Sequence, residues 1–349
     1  MAYACRIEAD SISERGHRLT TMVVTLPRNM LAELNTHCAL ARNSASSRAI
    51  PTLKQLRMIV EDMFIPVEFG TVATGMNAGP PLTGNKDYRA RQAWRNAGLE
   101  AIWWAMSLVT SAEYIEDEWE TWVRTKNDEF GEFVLDIAER LDNKLLKNRH
   151  DLLGVSKGLA NRILEPFMWH TVIITATEWD NFFNLRTHKD AQLEIRTAAK
   201  MMQEAYNAST PTLLQEGDWH LPFIQPHELE WARENPLVAR KVSSARCARV
   251  SYLTHDTGEA NIDRDLSRAD GLAGDGHMSP FHHAATPFTE AEWFVRDNMK
   301  ALALDQGSEL PDFVVKSLAR STEFSAKYRG WRDFRLELPN EDVFTPKAA

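Results

Sequence analysis

The spacing of hydrophobic and polar positions changes several times along the chain, and each change marks an element. From His17 to Pro27 the run HRLTTMVVTLP is dense in β-branched residues and stops at a proline, which predicts a strand. Arg28 to His37 follows with apolar residues at helical spacing. Arg42 to Arg48, RNSASSR, is small, hydroxyl-rich and bracketed by arginines, and reads as a polar loop offering N–H groups and cations to an anion, phosphate being the natural candidate. Met76 to Gly84 is turn-rich and reads as a surface loop, and Ala90 to Asp142 carries helical patterning with many acidic residues. Ile163 to Thr177 is apolar enough for a buried strand or a buried helix, while Asp190 to Asn207 has the period of an amphipathic helix. Thr210 to Glu228 is loop-like, Val242 to Tyr252 is apolar and basic, and Asp263 to Leu272 looks helical. The following GDGHMSPFHH must be irregular at its glycines and Pro280. Neither an internal repeat nor a low-complexity tract is visible.

Composition narrows the picture. A chain of 349 residues that is 44% hydrophobic can bury a sizeable core, as two domains or one elaborated one. A net charge of −9 and a pI near 5.7 would repel a polyanionic backbone, so extended nucleic acid is a poor default partner unless basic residues cluster locally, whereas a mononucleotide needs only a few arginines. Cys5, Cys38 and Cys247 are odd in number and lack CxxC spacing, which argues against a disulfide framework or a thiolate zinc site and for a reducing cytoplasm. The opening MAYACRIEAD lacks a basic region followed by an apolar run, and the apolar stretch near Val172 to Ala176 is far shorter than a membrane span. The expectation is a soluble protein with no membrane partner, in the cytoplasm of the cell that holds it.

Three motif groups carry chemistry. His37 to Arg48, HCALARNSASSR, resembles the R-H-R-x-x-S-x-N-E-x-S-x-R signature of flavin-dependent thymidylate synthases in His37, Asn43, Ser46 and Arg48. Taken alone it could equally be a solvated Ser/Arg turn after a helix. ANRILEP from Ala160 and NFFNLRTHKDAQLEIR ending at Arg196 resemble that family's A-R-x-x-L-P and N-F-x-x-L-R-x-x-x-x-A-Q-x-E-I segments, and this match is the most specific. ARVSY at Ala248 to Tyr252 and HMSPFHH at His277 to His283 resemble its A-R-V-S-Y and H-x-S-P-F-E-H segments. Outside the family, three imidazoles within HMSPFHH would suggest a metal cluster, but no cysteine or carboxylate accompanies them at helical spacing, so no metal site is assigned.

The resemblance implies an α+β fold with a mixed or antiparallel sheet flanked by helices, and active sites between subunits of a homo-oligomer, a tetramer. The ARVSY and SPFHH segments, which come first in the family, come last here; that order matches a circular permutation and resembles phage-encoded members, which also end in a basic aromatic segment like KYRGWRDFR. The chain then divides into a strand-helix and signature segment (1–75), a mostly helical insertion (76–155) and the remainder of one interwoven catalytic domain (156–349). Ser44, Ser46, Ser47, Arg48 and Arg162 would bind the phosphate of a pyrimidine deoxynucleotide monophosphate. His37, Asn43, Asn181, Ser251, His277 and Ser279 would line FAD. Arg186 would lie against the pyrimidine as the catalytic residue, stabilising negative charge on the ring as C5 becomes nucleophilic; the bland alternative is an ion pair with Asp180 or Asp190. Methylenetetrahydrofolate and NADPH are the implied co-substrates, dUMP the implied substrate and dTMP the product.

The chain departs from the pattern in places. Thr36 and Cys38 replace the signature arginines, Ala41 a serine, Ser44 a glutamate, and His282 the glutamate of SPFEH. A guanidinium's fixed donors and permanent charge are not supplied by threonine or cysteine, so Arg42, Arg329 and Arg332 are candidate substitutes. The substitutions leave open dCMP as substrate, a hydroxymethyl product for modified phage DNA, or a nucleotide-binding or assembly protein without catalysis. Cys38 reads as a small buried filler on a helix rather than a nucleophile.

Overall fold

A computed structural model describes residues 2–75, 77–109, 155–255, 261–305 and 327–338. Two long strands open the chain, β1 (Ala4–Ser13) and β2 (Arg18–Pro27), antiparallel and joined by a turn in which Gly16 takes φ +80°, a backbone region that favours glycine. A short helix α1 (Leu31–Asn35) leads to the edge strand β3 (Ala41–Ser44), then to helices α2 (Thr52–Glu61), α3 (Gly84–Val109) and α4 (Lys157–Ile163). Strand β4 (Trp169–Ala176), helices α5 (Asp180–Arg186) and α6 (Leu193–Ala208) and strand β5 (Thr212–Leu214) follow. The described remainder holds α7 (Leu229–Glu234), α8 (Pro236–Ala248), α9 (Ile262–Gly274), strand β6 (Ala285–Pro287), α10 (Glu290–Asp305) and strand β7 (Trp331–Asp333).

The main sheet runs β3-β4-β2-β1-β5, antiparallel except for the parallel β1–β5 pair, so the protein is α+β with a mixed sheet flanked by helices. Because strand side chains alternate between faces, β2 and β4 serve two cores at once. Met22, Val24 and Leu26 join Val172 and Ile174 on one face, against Phe182 and Phe183 of α5 and Ile195, Ala199 and Met202 of α6. Val23 and Ile173 point to the other face, against Phe223, Cys247 of α8 and Val250. A separate cluster joins Leu56 and Ile59 of α2, Ile102 and Met106 of α3, and Leu164 and Phe167, and it fixes α4 beside the loop that leaves β3. Each such side chain contributes roughly 1.5–3 kcal/mol by leaving water.

The second face also encloses a polar chain: Ser11 Oγ meets His220 Nδ1 (2.8 Å), Thr21 Oγ1 meets His220 Nε2 (2.8 Å) and Thr175 Oγ1 (2.6 Å), and Thr175 Oγ1 meets His283 Nδ1 (2.7 Å). Burial pushes the pKa of both His220 and His283 down to about 3, so both rings are neutral in the fold.

Several sequence expectations hold: the strand to Pro27, the helices at 193–208 and 262–274, and an irregular 274–283. Others need correction. Arg42–Ser44 is the edge strand β3 and not a loop, because Arg42 and Asn43 pair with Ile174 and Ile173 of β4 and backbone pairing overrides a composition typical of turns. The apolar run at 163–177 resolves into the end of α4, a short 3-10 turn and β4. Ala4–Ser13, given no element from sequence, is a full strand whose polar residues alternate with Cys5, Ile7 and Ala9. Of the expected helical insertion, α3 is seen to Val109, and 110–154 lies outside the described residues. No described helix is long and apolar enough to cross a membrane.

Candidate active site

The site starts where β3 ends. Ala45 continues the pairing through its N–H to the Thr171 carbonyl (2.9 Å), and Ser46 N–H donates to the Ser251 carbonyl (3.1 Å), which fastens this loop to the ARVSY segment far along the chain. The loop then curls on itself, with Ala49 and Ile50 N–H both reaching the Ser46 carbonyl (3.0 Å each) and Arg48 N–H reaching Ser46 Oγ (3.3 Å). Four of its other carbonyls are tied back by side chains. Arg28 takes Ala45 O (3.2 Å), Lys157 takes Ala49 O (3.1 Å), and the fully buried Asn161 takes both Ser47 O (2.7 Å) and Ile50 O (2.9 Å). With those acceptors engaged, hydroxyls and guanidinium groups dominate what remains on the loop, a composition that suits an anion.

That loop forms one wall of an open cleft of about 700 Å³. Asn43, Ser44, Ser46, Ser47, Arg48 and Arg162 line it from this side, and Ala248, Ser251, Tyr252, Arg268, His277, Ser279 and Pro280 line it from the segments after α8 and around α9. Among the described residues, five that bear a guanidinium, Arg28, Arg42, Arg48, Arg162 and Arg268, line the cleft and no carboxylate does. Their commitments differ. Arg48 is exposed and its guanidinium has no partner among the described residues, while Arg162 is exposed and only loosely paired with Glu165 (3.7 Å). Arg28 is bound to the same Glu165 (3.1 Å), and Arg268 to the buried Asp265 (3.2 Å).

The remaining expected site residues gather elsewhere. Arg186, at the end of α5, donates from Nε to His37 Nε2 (2.9 Å) and from Nη2 to Glu33 O (3.1 Å) and Thr36 Oγ1 (2.8 Å). Arg42 adds two bonds to the same helix end, at Leu34 O (2.8 Å) and His37 O (3.0 Å). The two arginines therefore satisfy the open carbonyls at the C-terminus of α1, where a cation also complements the helix dipole. His37 packs edge-on to Phe182, and its pKa is lowered by burial first and then by Arg186 and Arg42, against the opposing effect of a hydrogen bond to Asn181. Neither Asp180 nor Asp190 pairs with Arg186. Arg186, His37 and Asn181 thus form one cluster that does not line the cleft, and Arg42 belongs to both places.

No protein-family model and no curated protein matches the chain. Among solved structures, two of Thymidylate Synthase X from Helicobacter pylori with FAD and dUMP are similar to it. One is 18% identical over 54% of this chain and 67% of that chain, with a TM-score of 0.25; the other is 17% identical over 54% and 68%, with a TM-score of 0.24.

Cys38 is exposed and follows α1 in a turn, its carbonyl accepting from Lys327 Nζ (2.8 Å), so it is not the buried filler expected from its apolar neighbours. Arg332 is engaged by Glu292 (2.7 Å) and Glu337 (3.1 Å), and neither it nor Arg329 lines the cleft; of the three candidate substitutes only Arg42 does. The imidazoles of HMSPFHH diverge: His277 lines the cleft, His282 accepts from Arg335 (2.8 Å), and His283 turns into the polar chain. Among the described residues no group of His, Cys, Asp or Glu is arranged to hold a metal ion. Sequence reasoning missed Arg28, Arg268 and Asn161. Asn161 sits beside Arg162 in the quoted motif and was within reach; Arg28 and Arg268 lie in no motif.

Proposed function

We propose that the cleft binds a pyrimidine deoxynucleotide monophosphate together with FAD, and that the protein adds a one-carbon unit to C5 of the pyrimidine. The substrate in this reading is dUMP and the product dTMP, with methylenetetrahydrofolate as carbon donor and NADPH as reductant. The observation that carries the reading is the convergence of three motif-bearing segments, 43–48, 162 and 248–280, on one cleft lined by arginines and serines and by no carboxylate. This concentration in a chain of net charge −9 supports a small phosphorylated ligand.

The residues fit both ligands chemically. Ser44, Ser46, Ser47, Arg48 and Arg162 supply hydroxyls and guanidinium groups for the nucleotide phosphate. Asn43, Ser251, His277 and Ser279 supply polar contacts for a flavin, beside the apolar surfaces of Tyr252, Leu272 and Pro280. When bound, the flavin would supply hydride chemistry, and the protein's part is to orient and polarise. The motif order is read as a circular permutation, which the Ser46–Ser251 contact between early and late segments supports.

Arg186, with His37 and Asn181, stands outside this cleft in one protomer, so its proposed place against the pyrimidine requires a neighbouring subunit to present it. The homo-oligomer, a tetramer in this reading, is therefore part of the proposal. Incubating the purified protein with dUMP or dCMP, the folate, FAD and NADPH, and weighing the nucleotides, should give thymidylate from dUMP alone; unchanged masses under all conditions would sink the enzymatic reading. Mixing inactive Arg48→Ala and Arg186→Ala proteins, with subunit exchange allowed, should restore activity if each site draws on two chains, and no recovery would reject the shared site.

A further inference from the structure

Asp265 of α9 is completely buried and accepts from three guanidinium groups, those of Arg246 (Nε, 3.2 Å), Arg249 and Arg268 (3.2 Å). Arg246 is also held by Glu228 on the far side, through Nη2 to Oε1 (2.8 Å). Of these arginines only Arg268 lines the cleft. A buried carboxylate shared among several cations holds each of them in a narrow range of positions, because moving one leaves the charge beneath partly uncompensated. Arg268 is about a third exposed and lines the cleft from α9, between the segments that supply Ser251 and those that supply His277 and Ser279. None of the family motifs includes it.

We infer that Arg268 is an anion-binding residue of the cleft, set in place by Asp265, and that it takes the pyrophosphate of a flavin dinucleotide rather than the phosphate of the nucleotide substrate. The assignment rests on the reading that the cleft takes FAD. The arginines of the cleft come from different segments: Arg48 and Arg162 come with the loop serines, and Arg268 comes from α9, between the segments that supply Ser251 and those that supply His277 and Ser279. Burial first, and the neighbouring Arg249 second, lower the Arg268 pKa, and an anion arriving from the cleft would offset both effects.

The test compares flavins that differ only in phosphate. FAD and riboflavin binding would be measured by fluorescence titration on the full-length wild type, Arg268→Ala and Arg268→Lys, with dUMP binding followed by calorimetry. Losing a charge-assisted contact should weaken FAD binding to Arg268→Ala about tenfold or more, while riboflavin and dUMP affinities stay at wild-type values. Arg268→Lys should recover part of the loss, and Asp265→Asn combined with Arg268→Ala should bind FAD no worse than Arg268→Ala alone. Equal losses for FAD and riboflavin would mean that Arg268 only supports the fold, and a loss confined to dUMP would move it to the other ligand; either overturns the inference. Wild-type protein that binds FAD beside an Arg268→Ala protein that binds it equally well overturns this inference alone. Wild-type protein that binds no flavin overturns the functional reading as well.

Discussion

Two groups of arginines gather on and beside the edge strand β3, and they spend their donors differently. Arg48 and Arg162 sit where the neighbouring backbone acceptors are already taken, by Asn161, Lys157 and Arg28. Arg186 and Arg42 sit beside the end of α1, where a helix leaves its last carbonyls open, and they satisfy them. The charge is the same in both groups. The local supply of acceptors determines which guanidinium is left for a ligand, and that supply depends on which elements end nearby.

The comparison can be broken most directly at the free pair. Arg48→Ala with Arg162→Ala should weaken dUMP binding by about a hundredfold in calorimetry, two charge-assisted contacts being lost, with little change in stability because neither guanidinium is tightly held in the fold. A stability loss without an affinity loss would reverse their role. Next, Asn161→Ala strands the Ser47 and Ile50 carbonyls and should cost about 2–4 kcal/mol in urea unfolding, with dUMP affinity falling as the loop relaxes.

Arg186→Ala should cost about 1–3 kcal/mol through the α1 end it caps. If turnover disappears while stability is unchanged, the capping contacts are incidental and the arginine serves the ligand alone. The smallest effect is the pH dependence of that cluster. Arg186 donates to His37, which must be neutral to accept, and the folded pKa of His37 lies below its ordinary value of 6.5. The unfolded chain therefore binds the proton more readily, and the stabilisation, complete above that value, is lost as pH falls below it. His37→Asn should flatten the decline of the urea midpoint just below pH 6.5. The decline that persists at lower pH is shared by the buried, neutral His170, His220 and His283 and by Glu228, whose carboxylate is held ionised by Arg246.

Much of the scaffold was legible in the residues. Threonines and valines ending at Pro27 make β2, and the periodicity of 190–207 makes α6, because one-sided burial imposes its period on the sequence. β1 left a weaker trace: Cys5 and Ile7 face the main core between charged residues, a bulge after Ile7 then shifts the register so that Ala9 pairs with Thr21, and the buried residues beyond it are the polar Ser11 and Ser13. β3 was illegible, since at a sheet edge four residues of loop composition become a strand only once β4 offers backbone partners. The motif residues Asn43, Ser46, Arg48, Arg162, Ser251 and Ser279 were each readable, and they meet in one cleft.

What the sequence determined by itself is the set of segments with unusual chemistry and the period of the main helices and strands, because both are local properties. The tertiary structure alone decided which arginines stay free. It brought Arg28 and Arg268 into the cleft from outside any motif, and it turned Arg186 onto the carbonyls of α1. The physical reason is that a guanidinium's partners are mostly backbone oxygens and buried carboxylates from distant parts of the chain, and the spacing of residues along a sequence does not record who those neighbours are.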